Sequence, residues 1–233
     1  MTCPLIIAHR GSSAKLPENT LPAFRGAVAA RADGIELDVQ VTADGVPVVF
    51  HDASLSRLTG ARGRIAARAW SELAPLRVHG VAPIPRLVDV LRYTRGRVLV
   101  QIELKAGATV APVIAAIRAA RAADGVILAS FSSSLVAEAG QLAPRIPRML
   151  ISEGRARPAS LRRRLVDLDA MGISVNHAGI RDADWLSHFQ SQGLKVWCWT
   201  VNEPARMRVL AGWGIDAILT DNPALLRSAI RFR

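Results

Sequence analysis

Short apolar runs alternate eight times with longer stretches rich in Ala, Leu and Arg, and this alternation constrains the fold more than any other property of the chain. The runs cover residues 5–9, 35–40, 98–104, 126–131, 147–151, 173–176, 195–200 and 216–220, and their length and composition predict strands. Helical stretches follow them near 20–31, 85–95, 109–123, 134–142, 158–171, 182–192, 203–212 and 223–231. Eight strand-helix units in 233 residues predict an α/β fold, a closed parallel (β/α)8 TIM barrel rather than an open doubly wound sheet. The length suits one domain, residues 1–233, around one core.

One segment breaks the alternation. Asp44-Gly45 between two apolar runs favours a tight hairpin. With the turn centred there, cross-strand partners sum to about 89, which places His51 opposite Asp38. Residues from about 52 to 84, punctuated by Gly60, Gly63, Gly80 and Pro83 and followed by Pro85, then read as an irregular continuation, so that an insertion spans about 41–84.

Composition excludes several classes. No uninterrupted apolar run approaches the roughly 20 residues of a membrane span. The first strand begins by Leu5, which leaves no room for a signal peptide and predicts a cytoplasmic protein. Cys3 and Cys198 lack metal-ligand spacing and are expected as buried, reduced thiols. The net charge of +11 does not predict nucleic acid as a partner. Arginines are scattered, the lysines are only Lys15, Lys105 and Lys195, and the few aromatics are not interleaved with basic residues. No helix face identifies an oligomer interface, which leaves monomer and homodimer open.

Polar residues placed within or at the ends of apolar strands are costly unless used. His9-Arg10-Gly11, Glu36-Leu37-Asp38, His51-Asp52 and Glu103-Leu104-Lys105 all fit that description. Strand alternation puts Glu36 and Asp38 on one face, and Gln101, Glu103 and Lys105 on one face. In a parallel barrel those faces meet at the mouth, so three carboxylates converge from adjacent strands. A divalent cation relieves their repulsion, and an all-oxygen donor set suits Mg²⁺ or Ca²⁺ better than zinc, with Mn²⁺ also open. Two alternatives stand beside this: His9 and His51 join the ligand set, or a salt-bridge network neutralised by Arg10 and Lys105 replaces the metal, which leaves His9 and His51 without a task. Imidazoles transfer protons near neutral pH, and Arg10 and Lys105 suit phosphate oxygens. Together these groups point to phosphodiester cleavage.

The chain resembles the glycerophosphodiester phosphodiesterases along essentially its whole length. The shared elements run from His9-Arg10-Gly11 and Pro17-Glu18-Asn19-Thr20 through Glu36-Leu37-Asp38, Asp44-Gly45, His51-Asp52, Ile84-Pro85 and Glu103-Leu104-Lys105 to Trp199-Thr200-Val201-Asn202 and Thr220-Asp221-Asn222-Pro223. The resemblance implies a barrel with a small insertion after the second strand, and hydrolysis of a glycerophosphodiester to sn-glycerol 3-phosphate and an alcohol. It makes His9 and His51 the general acid/base pair, and Glu36, Asp38 and Glu103 the metal ligands. Arg10 and Lys105 would hold phosphate, and Trp199 would line the glycerol side. One histidine would activate water or the neighbouring glycerol hydroxyl while the other protonates the departing alkoxide; which does which stays open.

Other elements have plainer readings. Asn19 or Thr20 caps the first helix, with the cap role favoured for Asn19 and Glu18 left undecided. Asp221 or Asn222 caps the last helix. Trp197 and Trp199 face one side of their strand, and one of them fills the barrel interior. His79, His177 and His188 match no motif and are expected to be structural or on the surface. Residues 77–83 and Arg86 depart from the family pattern, which leaves the leaving group open. Two other functions compete with the first. One is a lysophospholipase D-like activity on acylated diesters, using an apolar groove from Val78, Val81, Ala82 and Ile84. The other is a non-catalytic phosphodiester-binding barrel.

Overall fold

The computed structural model describes residues 3–105 and 110–230. Its strands are β1 (Leu5–His9), β2 (Gly34–Val41), β3 (Pro47–Val49), β4 (Arg77–Val78), β5 (Ala82–Pro83), β6 (Leu99–Leu104), β7 (Val126–Ser130), β8 (Arg148–Ser152), β9 (Gly172–Asn176), β10 (Lys195–Trp199) and β11 (Ala217–Thr220). The ring β1-β11-β10-β9-β8-β7-β6-β2 is parallel throughout and closes through the β1–β2 pair, which makes it a TIM barrel. All eight expected strands are present, within two residues of the expected bounds. Position 109, where the third helix was expected to start, and position 231, where the eighth was expected to end, lie outside the described residues.

Alternation along each strand sorts side chains into two cores. Ile6, Ala8, Ile35, Leu37, Val39, Ile102 and Leu104 point outward and pack under the helices. Ile7, Ile127, Ala129, Met149, Ile151, Trp197, Ala217 and Leu219 fill the interior. Burying an aliphatic side chain of this size is worth roughly 1.5–3 kcal/mol, so the inner layer plugs the barrel as a solid floor. Trp197 belongs to that floor, and Trp199, two residues on, reaches the mouth.

The insertion is less irregular than expected. Val48, Phe50, Leu55, Leu58, Ile65, Leu73, Val78 and Ile84 form a separate apolar cluster. Around it lie two short helices, Ser56–Thr59 and Trp70–Leu73, and the β4–β5 hairpin. The hairpin register is one residue off the expected one: Val39 pairs with Val49, so partners sum to 88 and Asp38 faces Phe50, not His51. The cause is a three-residue loop, Ala43-Asp44-Gly45, with Gly45 at φ +80° and the Thr42 hydroxyl accepting from Val46 N. A two-residue turn would have given the expected sum.

Two further expectations are corrected here, and the choice left open between Asp221 and Asn222 is decided. Thr20, not Asn19, caps the helix Leu21–Ala29, accepting from Ala23 N with Pro22 in the first turn. Asn222, not Asp221, caps the helix Pro223–Ile230, accepting from Leu225 N. Cys198 is buried as expected, whereas Cys3, ahead of β1, is exposed. Among the described residues no helix is long and apolar enough to cross a membrane.

Candidate active site

The site is assembled in layers by strand register. His9 pairs with Glu36 and Glu36 with Gln101; two residues higher, Asp38 pairs with Glu103. All of these face the barrel axis at the C-terminal ends of the strands, where barrel enzymes place their chemistry. His9, Glu36, Gln101 and Glu103 line a cavity of about 250 Å³ together with Arg10, His51, Lys105, Phe131, Glu153 and Trp199. A larger cleft, about 540 Å³, opens at the opposite end between Arg95, Arg97 and Arg121, but no histidine lines it.

Glu36, Asp38 and Glu103 each offer an oxygen within 4.8 Å of the others'. Lys105 Nζ lies 2.8 Å from Asp38 Oδ1 and 2.6 Å from Glu103 Oε1, and Arg10 Nε lies 3.2 Å from Asp38 Oδ2. Asn19 Nδ2 donates to Asp38 Oδ2 at 2.7 Å, so Asn19 orients a carboxylate instead of capping a helix. Arg10 is held at φ +56°, a costly conformation for a residue with a Cβ, while its backbone N–H donates to Glu36 Oε2 at 3.1 Å.

Three carboxylates face two cations, and the deficit falls on the acids. Burial, then Asp38 and Glu103, push the Glu36 carboxyl well above its usual range. Burial and Asp38 raise Glu103 to about 7. Burial also opposes ionisation of Asp38, but Lys105, Arg10 and His51 overcome it and hold that carboxyl low. Asp38 Oδ1 is buried and has an ion pair but no well-directed hydrogen bond, and Gln101 Oε1 beside Glu36 has no partner. A hard divalent cation meets this donor set: oxygen ligands, one uncompensated negative charge and an under-satisfied buried oxygen.

Each histidine is gripped at Nδ1 by a carboxylate. His9 Nδ1 lies 2.7 Å from Asp221 Oδ1, and His51 Nδ1 lies 2.6 Å from Asp52 Oδ1. A carboxylate partner makes Nδ1 the donor and leaves Nε2 as the free ring nitrogen. Burial lowers the His51 pKa below its ordinary value, although Asp38 and Asp52 pull the other way. Asp221 is held at about 2: burial opposes this, but His9, Asn202 and Ser13 favour its charged form.

His9, Arg10, Glu36, His51, Glu103, Lys105 and Trp199 line the one cavity, and Asp38 is buried directly behind it. Trp199 donates Nε1 to Ser174 O at 3.1 Å and meets Phe131 edge-on, with ring centroids 5.7 Å apart. Phe131, Asp52 and Glu153 are not assigned to the site by the sequence, where Asn19 reads as a cap and so does either Asp221 or Asn222. His51-Asp52 adjacency was a signal for Asp52; nothing in the sequence links Asp221 to His9. His79 and His188 are exposed and His177 is half-buried; none of the three lines the cavity.

Val78, Ala82 and Ile84 are 1–2% exposed within or beside the insertion core, and only Val81 reaches solvent. The apolar groove expected of an acyl-binding site is therefore not formed by these residues.

Comparison with known proteins agrees with this geometry. The Glycerophosphoryl diester phosphodiesterase family profile matches residues 9–225. A glycerophosphodiester phosphodiesterase of Caldanaerobacter subterraneus is 31% identical, over 97% of this chain and 98% of the relative. The crystal structure of a glycerophosphodiester phosphodiesterase from Agrobacterium tumefaciens superposes with TM-score 0.85 at 30% identity, covering 97% of this chain and 99% of that one. An Oleispira antarctica phosphodiesterase, solved in complex with the product sn-glycerol 3-phosphate, gives TM-score 0.88 at 29% identity, covering 99% and 98%. With matches of this extent on both sequence and fold, the chain belongs to the glycerophosphodiester phosphodiesterase family.

Proposed function

We propose that this protein hydrolyses deacylated glycerophosphodiesters, such as glycerophosphocholine and glycerophosphoethanolamine, to sn-glycerol 3-phosphate and the free alcohol. The observation that carries this reading is the placement of two carboxylate-gripped histidines, His9 and His51, around the Glu36, Asp38 and Glu103 cluster in a single cavity. Binding alone needs no such pair. The product complex of the Oleispira relative supports the choice of substrate class.

In this reading Glu36, Asp38 and Glu103 hold a divalent ion, Mg²⁺, Ca²⁺ or Mn²⁺, which supplies Lewis-acid stabilisation of phosphoryl charge. Arg10 and Lys105 donate to the non-bridging phosphate oxygens. His9 and His51 move the protons: one neutral ring takes a proton through Nε2 from the nucleophile, water or the neighbouring glycerol hydroxyl, while the other, as an imidazolium, gives its Nε2 proton to the departing alkoxide as its bond to phosphorus breaks. On the hydroxyl route water then opens the cyclic phosphate to sn-glycerol 3-phosphate. Asp221 and Asp52 keep Nδ1 of both rings protonated, which leaves Nε2 as the nitrogen that gains and loses the transferred proton. Trp199, backed by Phe131, forms an apolar wall suited to the glycerol carbons. The whole chain acts as one catalytic unit, with residues 41–84 contributing His51. A cytoplasmic setting fits, since Cys3 and Cys198 are both free thiols.

Turnover of glycerophosphocholine compared with its singly acylated counterpart tests the substrate class. The deacylated diester is expected to be preferred, and a preference for the acylated one would favour the lysophospholipase D-like reading. His9→Ala and His51→Ala are each expected to abolish turnover in folded protein; near-normal activity in either removes that residue from the mechanism.

A further inference from the structure

Arg57 lies outside the residues that line the cavity, yet it joins two parts of the site. Its short helix, Ser56–Thr59, is anchored by Leu55 and Leu58, both 1% exposed in the insertion core. Arg57 sits between these anchors and projects away from that core. From there its guanidinium spans two carboxylates. Nε and Nη2 donate to Asp52 Oδ2 and Oδ1 at 2.6 and 2.9 Å. Nη1 and Nη2 donate to Glu18 Oε2 and Oε1 at 3.1 and 2.8 Å.

Each of those carboxylates holds a residue of the cavity. Asp52 Oδ1 is the atom that grips His51 Nδ1, and Glu18 Oε1 accepts from Arg10 Nη1 at 2.9 Å. Arg10 in turn reaches Asp38. The connected path is therefore His51, Asp52, Arg57, Glu18, Arg10, Asp38. It ties the insertion to the loop after β1, two segments about 40 residues apart in sequence.

A single half-exposed ion pair contributes little, because solvent screens it and long side chains must be ordered to form it. Two forks on one planar guanidinium differ in kind, since the donor directions fix the relative position of both acceptors. An ammonium has no equivalent geometry.

We propose that Arg57 is a positioning residue for phosphodiester hydrolysis: it holds Asp52 behind His51 and Glu18 behind Arg10, fixing the proton-transfer ring relative to the phosphate-binding guanidinium. This rests on the phosphodiesterase activity proposed above. It assigns the insertion a second task besides carrying His51.

The test is steady-state kinetics on glycerophosphocholine with Mg²⁺, wild type alongside Arg57→Ala, Arg57→Lys, Asp52→Asn and Glu18→Gln. Arg57→Ala is expected to lower kcat/KM by about 10- to 100-fold, the range typical when a partner behind a functional group is lost. Asp52→Asn acts mainly on kcat and Glu18→Gln mainly on KM, whereas Arg57→Ala moves both. In the Arg57→Ala background the other two substitutions cost less than they do alone. Added guanidinium ion restores part of the Arg57→Ala activity and ammonium does not, and Arg57→Lys stays impaired despite keeping its charge. A purely structural role would not give that selectivity. If circular dichroism shows Arg57→Ala unfolded, Arg57→Lys measured against wild type decides the question in its place. Arg57→Lys or Arg57→Ala as active as wild type, or losses fully additive with Asp52→Asn and Glu18→Gln, overturns the proposal. Wild-type protein without turnover overturns the activity itself, and the positioning role with it.

Discussion

Nδ1 of His9 and Oδ1 of Asp221 lie 2.7 Å apart although 212 positions of sequence separate them. Closure of the barrel brings them together. Ala8 is in register with Thr220, so the next residue on each strand, His9 and Asp221, emerges at the same level of the mouth. Ser13 Oγ and Asn202 Nδ2 complete the carboxylate's hydrogen bonds at 2.9 and 2.6 Å.

Asp221→Asn is expected to lower kcat by about 10- to 100-fold with little change in KM, because an amide can turn its N–H₂ toward Nδ1 and stabilise the wrong tautomer. The native carboxyl is held at about 2, below its ordinary 3.8, so the stability it contributes is present above 3.8 and is lost as pH falls toward 2. Above about pH 5 Asp221 therefore stays charged, and the kcat defect should persist at every pH assayed there. A wild-type kcat in Asp221→Asn would return this residue to a structural role.

The sign is opposite at Glu103. Its folded pKa of about 7 lies above the ordinary 4.5, so the folded protein binds the extra proton and metal-free stability declines as pH rises from 4.5 through 7. The decline is expected to be about 1–3 kcal/mol. A divalent ion removes it, so thermal melts at pH 5 and pH 8 should show stabilisation by Mg²⁺ or Ca²⁺ growing with pH. Glu103→Gln should abolish most of that growth. Equal metal-induced shifts at both pH values would argue against this carboxylate cluster as the metal site.

Gly11→Ala probes the loop that carries Arg10. Gly11 sits at φ +85°, and an added Cβ would meet backbone and Cβ atoms of Ala23 at 2.7 Å, inside the first helix. Conformational strain and that contact together should cost about 1–3 kcal/mol in denaturant unfolding. They should also raise KM, because Arg10 must shift. A neutral Gly11→Ala substitution would mean that the loop after β1 tolerates displacement.

Thiol titration distinguishes the two cysteines. Cys198 is fully buried on β10 and burial pushes its thiol up, whereas Cys3 is exposed. Native protein should react promptly at one thiol and unfolded protein at two. Two fast thiols in the native state would contradict the packing of β10.

The barrel was legible because its signals are local: strands and helices announce themselves in the spacing of apolar residues, and Glu36, Asp38 and Glu103 follow from alternation along β2 and β6. What was misread or left open depends on geometry that sequence does not carry. The hairpin register turned on one extra loop residue at Gly45. In Asn19-Thr20 and in Asp221-Asn222 both residues have capping chemistry, and only the fold shows that Thr20 and Asn222 cap while their neighbours orient Asp38 and His9. Arg57 and the insertion core stayed hidden because Leu55, Leu58, Ile65 and Leu73 follow no single period.

Metal-dependent hydrolysis at the His9 and His51 site is best tested by measuring release of sn-glycerol 3-phosphate from glycerophosphocholine and glycerophosphoethanolamine, with Mg²⁺, Ca²⁺ or Mn²⁺ and again after exhaustive chelation. Release is expected with at least one of these ions, together with loss on chelation and recovery when the ion is returned. Folded protein that releases nothing with any of the three ions, or that works equally well after chelation, would contradict the proposed chemistry.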